Sequence, residues 1–299
     1  MEILVRIYPI VFVLFFSVAA QVLYTLDRAD EAFNDQYVGC KKAMDRSLAS
    51  NNVLANERRR NKVFSRAWDE AELIWHQQKK NQITYELPEG FEDHHGIALV
   101  AYSGFISKSF NDELRTAGRS YDHYIENFHF KSLHYYLTTA VQLLSYHSCR
   151  KNQHLIHEDL HGATYWPSNE SRIIRVGQFL TAFEDEPIYE TNETFSLTSC
   201  FAVNIQEFSQ FPDEKIVVVP GFEVFQVTYG KDHSNFSLST TGKNCSNFNC
   251  AYLRGNDSRQ TLDQCVHRLG LVGGASISRN VFFLMAWWCL PAIHLIFIF

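Results

Sequence analysis

The stretch Arg175-Val176-Gly177-Gln178-Phe179-Leu180-Thr181-Ala182-Phe183, followed by Ser199-Cys200-Phe201-Ala202-Val203-Asn204-Ile205 and Phe208-Ser209-Gln210-Phe211-Pro212-Asp213-Glu214-Lys215-Ile216-Val217-Val218-Val219-Pro220-Gly221-Phe222-Glu223-Val224-Phe225-Gln226, decides the fold. It reads as short strands joined by polar turns. Residues 173–179, 200–205, 215–219 and 224–229 are β-branched or aromatic runs, bounded by Asn, Asp, Pro and Gly. Glu214 and Ile216 lie two apart at the expected start of a strand, so side-chain alternation puts them on one face.

Upstream the pattern is helical. Phe64, Ala67, Ala71, Ile74 and Trp75 recur at helical spacing across 63–78. Residues 121–144 read as one long helix, with Phe128, Leu133, Tyr136, Leu137, Ala140, Val141 and Leu144 on its apolar face and no Pro or Gly inside. Residues 94–103 are a short apolar run entering a polar turn. Its adjacent histidines, His94 and His95, diverge and have no third ligand at a suitable spacing, so no metal is expected. The text turns from helical to strand-like after Cys149. The expected architecture is α+β: a helical N-terminal lobe to about residue 150, packed on a largely antiparallel β-lobe over about 151–255.

The formal charge of −6 gives no support for a nucleic-acid partner. Residues 1–20 read as a signal peptide, with Arg6, an apolar run and Val18-Ala19-Ala20 as a small-residue cleavage site. Residues 281–299 are apolar and uncharged. With Gly273-Gly274-Ala275-Ser276 and a short polar spacer before them, they have the order of a GPI-attachment signal, removed as 276–299. The mature domain is then 21–275, on the extracellular face of the plasma membrane. Export implies an oxidising compartment. Cys289 falls in the tail, leaving Cys40, Cys149, Cys200, Cys245, Cys250 and Cys265 to pair, with connectivity open at this point. Asn169, Asn192, Asn235, Asn244 and Asn256 head Asn-x-Ser/Thr triplets and permit glycosylation.

The stretch 175–226 resembles the vertebrate ecto-ADP-ribosyltransferases, which move ADP-ribose from NAD to protein arginine. That family writes Arg-Phe-Gly-Gln-Phe-x-Ser-x-Ser, then Phe-Pro-x-Glu-x-Glu and an apolar strand. Here Arg175–Phe179 and Phe211-Pro212-Asp213-Glu214 keep those patterns, with the trailing strand and Pro220. Residues 32–40 and 128–140 resemble the start of the mature domain and the central helix. The resemblance implies an NAD cleft between the lobes, NAD as co-substrate with NADP as an alternative, and an arginine-containing acceptor. It also implies the pairs Cys40–Cys250, Cys149–Cys200 and Cys245–Cys265.

Breaking the bond between ribose and nicotinamide builds positive charge on the ribose, which a nearby carboxylate stabilises. By resemblance the catalytic positions are His161, Thr181, Glu214 and Ile216, and the cofactor-binding positions are Tyr102, His161, Gly162, Gln178 and Ser209. Glu214 matches the arginine-facing acid, but the ribose-facing Glu falls on Ile216. The family's Arg-Gly pair falls on His161-Gly162, aligned by its distance from Arg175. Thr181 keeps the hydroxyl of the first Ser, and Phe183 replaces the second. Three functions stay open on sequence: a working arginine transferase, a catalytically silent surface binding protein, and slow NAD hydrolysis through Glu158 or Asp159.

Overall fold

A computed structural model describes residues 22–145, 153–158, 163–168, 172–184, 194–231 and 235–255. The helical half contains α1 (Lys41–Ser50), α2 (Val53–Arg60), α3 (Lys62–Ile74), the short α4 (Lys80–Gln82), α5 (Asp93–Tyr102), α6 (Ile106–Ala117), α7 (Tyr121–Asn127) and α8 (Lys131–Leu144). A π-helical segment, Trp75–Lys79, joins α3 to α4. The last helix of this half ends at Leu144, the large sheet begins with β2 (Gln153–Glu158), and a short helix α9 (Ala251–Arg254) follows the sheet.

That sheet has eight strands: β2, β4 (Ile173–Ile174), β5 (Leu180–Phe183), β6 (Thr194–Ser199), β7 (Val203–Asn204), β8 (Ile216–Val219), β9 (Glu223–Tyr229) and β10 (Phe236–Asn244). Their order is β4-β9-β10-β6-β2-β5-β8-β7. Only the β10–β6 pair is parallel. A separate parallel pair joins β1 (Val22–Leu26) to β3 (Ala163–Pro167). The α+β class with a mostly antiparallel sheet is as the sequence implies.

The sheet is buried on both faces at β8, the strand beside the β7 edge. Ile216 and Val218 pack with the helical core, whereas Val217 and Val219 pack into a second core with Leu26, Tyr165 and Phe225. This two-sided burial explains why β8 is an unbroken apolar run instead of an alternating one.

The segment 121–144 is two helices, a correction to the single helix expected from its periodicity. Phe128 and Phe130 turn inward between them and are fully buried. The second helix then starts on a remote cap: Glu57 of α2 accepts hydrogen bonds from the Lys131 N–H (2.6 Å) and the Ser132 N–H (2.9 Å). These satisfy two of the amides that a helix N-terminus leaves without partners. Burial raises the pKa of Glu57, against the pull of those amides and Lys131.

Cys40 and Cys250 form a disulfide across a sequence separation of 210. Cys200 and Cys245 are also disulfide-bonded. The partners that the resemblance implies for them, Cys149 and Cys265, lie outside the described residues, as do the signal peptide and the C-terminal tail.

Candidate functional site

A cavity of about 260 Å³ opens where the helical half meets the sheet. Its walls come from the C-terminal end of α5, from α6, from β2 and β3, from β5 and from the turn before β8. Tyr102, Gln178, Thr181, Glu214 and Ile216 all line it.

Tyr102 ends α5, a helix buried along almost its whole length. Its hydroxyl donates to the Phe179 carbonyl (3.1 Å). Asn111 of α6 grips the same peptide both ways: its Nδ2 donates to the Phe179 O (2.9 Å) and its Oδ1 accepts from the Phe179 N (3.2 Å). The helical half is thereby pinned to the entrance of β5. Gln178 is fixed at both ends. Its Nε2 donates to the Tyr165 hydroxyl (2.7 Å), and its Oε1 accepts from Arg115 (3.1 Å). Gly221 is required beside it, since a Cβ there would lie 2.7 Å from the Gln178 carbonyl oxygen.

Thr181 and Ile216 lie on neighbouring strands, with Thr181 opposite Val218 and Phe183 opposite Ile216. Ile216 is 3% exposed. Glu214 is exposed and ends the 3₁₀ turn Pro212–Glu214. The next residue, Lys215, takes a left-handed conformation (φ 49°). Glu214 is therefore not a strand residue, and alternation does not explain why it reaches the same wall as Ile216. The turn and the left-handed Lys215 bring it there.

Ser209 stands apart. It is fully buried, its hydroxyl accepts from the Phe211 N–H (2.9 Å), and it is not part of the cavity wall. The neighbouring Gln210 ties this turn to α5, its N–H bonding the Ser103 hydroxyl (2.9 Å) and its Nε2 the Val100 carbonyl (3.0 Å). His161 and Gly162 lie outside the described residues.

The histidine on the cavity wall is His157 of β2, which the sequence reading did not single out. Its Nδ1 lies 2.6 Å from the Thr181 carbonyl oxygen, and its ring meets Tyr165 edge-on. A signal was present: Leu155, Ile156 and His157 form a strand-like run, and His157 shares a face with Leu155. The family's spacing from Arg175 falls on His161 instead. Asp112, Lys108 and Tyr24 complete the outer wall, with Phe105 and Phe211 exposed at the rim. Among the described residues, no group of three His, Cys, Asp or Glu side chains could hold a metal ion. His94 stacks on Tyr136, while His95 bonds to Thr139 and the Glu92 amide.

The sequence model for NAD:arginine ADP-ribosyltransferase matches residues 26–246. Ecto-ADP-ribosyltransferase 5 of Bos taurus is 34% identical over 275 residues, covering 88% of this chain and 84% of that protein. GPI-linked NAD(P)(+)--arginine ADP-ribosyltransferase 1 of Mus musculus is 35% identical over 244 residues, covering 77% and 73%. Among solved structures, a glutamate-to-isoleucine mutant of the mono-ADP-ribosyltransferase ART2.2, in complex with NAD, superposes with a TM-score of 0.66 at 31% identity, covering 77% of this chain and 99% of that one. The motif residues around one cavity and these matches agree: the chain belongs to the vertebrate ecto-ADP-ribosyltransferase family.

Proposed function

We propose that this chain is a GPI-anchored cell-surface member of the family that binds NAD in the cavity and transfers ADP-ribose to protein arginine only weakly. The observation that carries this reading is Ile216. It is buried on the cavity wall at the position where the family pattern has its ribose-facing glutamate. An isoleucine cannot stabilise positive charge on the ribose, and it makes the wall more apolar. Losing one electrostatic stabiliser of this kind costs about 3 kcal/mol, or roughly a hundredfold in rate.

The remaining residues suit NAD. Tyr165, Phe179 and Ile216 offer flat or apolar surface, while Gln178 and Thr181 offer polar groups beside it. The ART2.2 mutant in complex with NAD also carries isoleucine in place of a glutamate, which supports NAD binding by this fold with such a replacement. Glu214 keeps the place of the acid that would face an acceptor arginine, and His157 or His161 stands in for the family's cofactor-gripping arginine. NADP is the alternative co-substrate, in line with the name of the murine relative. That name also supports lipid anchoring, as do the small residues and apolar tail of 273–299. Among the described residues, no helix is long and apolar enough to cross a membrane.

The second reading, a silent surface binding protein, shares the same observation and differs only in turnover. Incubating the purified protein with labelled NAD and an arginine-rich acceptor, with both transfer and free nicotinamide measured, separates the two. Slow transfer is expected; none at all supports the silent reading. Strong transfer that Glu214→Gln abolishes would show that the cavity uses another carboxylate. On cells, a phosphatidylinositol-specific phospholipase should release the protein, and retention with a detectable tail peptide would point to a spanning helix.

A further inference from the structure

NAD carries two negative charges on its diphosphate, and a cation beside them forms charge-assisted hydrogen bonds that are stronger than neutral ones. A histidine in the place of the family's arginine is a weaker source of positive charge at neutral pH, which leaves room for a second cation at the cavity. Among the described residues, the cavity wall holds one lysine or arginine, Lys108. It lies on α6, the helix whose Asn111 grips Phe179. Its ammonium is 3.0 Å from Asp112 one turn on, and its side chain is 42% exposed.

Asp112 is held in turn, since its other oxygen accepts the Tyr24 hydroxyl. The Arg115 guanidinium lies 4.1 Å from the centre of the Tyr24 ring, which fixes that ring on its other side. The Lys108 ammonium is thus aimed by a braced carboxylate instead of swinging freely. The bond to Asp112 is also the main reason its pKa is raised, so it stays cationic at neutral pH. An exposed i,i+4 ion pair is a weak one, worth only about 0.3–0.5 kcal/mol. Charge-assisted bonds to phosphate are much stronger, so the ammonium can leave Asp112 for a diphosphate at small cost.

We infer that Lys108, positioned by Asp112 and Tyr24, is the diphosphate-binding residue of this cavity and takes over the charge role of the absent arginine. The inference rests on the reading that the cavity binds NAD.

Titration calorimetry of the purified full-length protein tests it, with NAD, nicotinamide mononucleotide and nicotinamide riboside as probes. Lys108→Met should weaken NAD at least about tenfold and weaken the mononucleotide, while leaving the phosphate-free riboside unchanged. Lys108→Arg should bind NAD within a few-fold of wild type. Raising the salt concentration should weaken NAD binding to the wild type more than to Lys108→Met. Lys108 is exposed, so a melting curve matching wild type is expected for both variants. Unchanged NAD affinity in Lys108→Met overturns the assignment, as does equal weakening of NAD and the riboside. Failure of the wild type to bind NAD, by contrast, overturns the cofactor reading itself.

Discussion

At the scale of single residues, polar bonds hold much of the cavity wall in place. Gln178, Tyr102 and Asn111 are fixed by bonds that the fold itself needs. Ile216 is instead a cavity-wall residue at the end of a strand, where a longer polar side chain could reach open space. Ile216→Glu should therefore be tolerated and should raise nicotinamide release, by up to roughly a hundredfold if the carboxylate meets the ribose. Adding an arginine at His157 or at His161 should improve NAD binding further. His157→Arg is expected to act, because His157 lines the cavity; an effect confined to His161→Arg would favour the alignment by distance. Either arginine without Ile216→Glu should tighten NAD and leave turnover low. Nicotinamide release and NAD affinity, measured on the three single variants and the two doubles, check both claims. No gain from Ile216→Glu in any background would mean that the missing carboxylate is not what limits the reaction.

At the scale of elements, α5 shows what the sequence could and could not reveal. It is apolar all round because it is buried on nearly every side, so residues 94–103 carry no helical periodicity to read. Its start is set by His95, whose Nδ1 accepts the Glu92 N–H (2.8 Å) while Nε2 faces the Thr139 hydroxyl (3.0 Å). Accepting at Nδ1 requires the neutral ring. Burial accordingly pushes the His95 pKa down from 6.5 to about 4. The unfolded chain takes up its proton first, so the contribution is complete above pH 6.5 and is lost as pH falls towards 4, a total of about 3 kcal/mol. Buried His134, pushed down to about 3, acts with the same sign. The buried carboxylates Asp35, Glu57 and Glu223 have raised pKa values and act with the opposite sign, gaining stability as pH falls towards 4.5. The His95 share is therefore best seen as a difference. The fall in Tm from pH 7 to pH 5 should be shallower in His95→Gln, which keeps an acceptor and a donor but cannot titrate. Parallel curves would assign the acid sensitivity elsewhere.

At the scale of the whole molecule, the strands near 216–229 and the helix over 63–78 were legible because propensity, turn residues and burial agree there. The split at Phe128–Phe130 was not, because it depends on Glu57, more than seventy positions away. Nor was the cavity position of His157, which follows from the pairing of β2 with β5. The role of Arg175 was hidden for the same reason. The residue that opens the diagnostic stretch is fully buried and bonds the Arg28 carbonyl, the Cys245 carbonyl and the Asn247 Oδ1, with Asp30 at 3.7 Å. It thereby joins the start of the described chain to its end, as the Cys40–Cys250 disulfide also does. The two ties work on different states. The disulfide restricts the unfolded chain, and losing it through Cys40→Ser with Cys250→Ser should cost about 2–5 kcal/mol. Arg175 acts in the folded state, where its planar fork reaches several acceptors at once; Arg175→Lys offers a single ammonium and should cost about 3 kcal/mol or more. Because one loss is felt in the unfolded ensemble and the other in the native one, the combined variant should lose close to the sum, within roughly 0.5 kcal/mol. Urea unfolding of the four proteins measures this directly. A combined loss well below the sum would mean that breaking the disulfide already loosens the native ends, and that Arg175 holds them only while the covalent tie is in place.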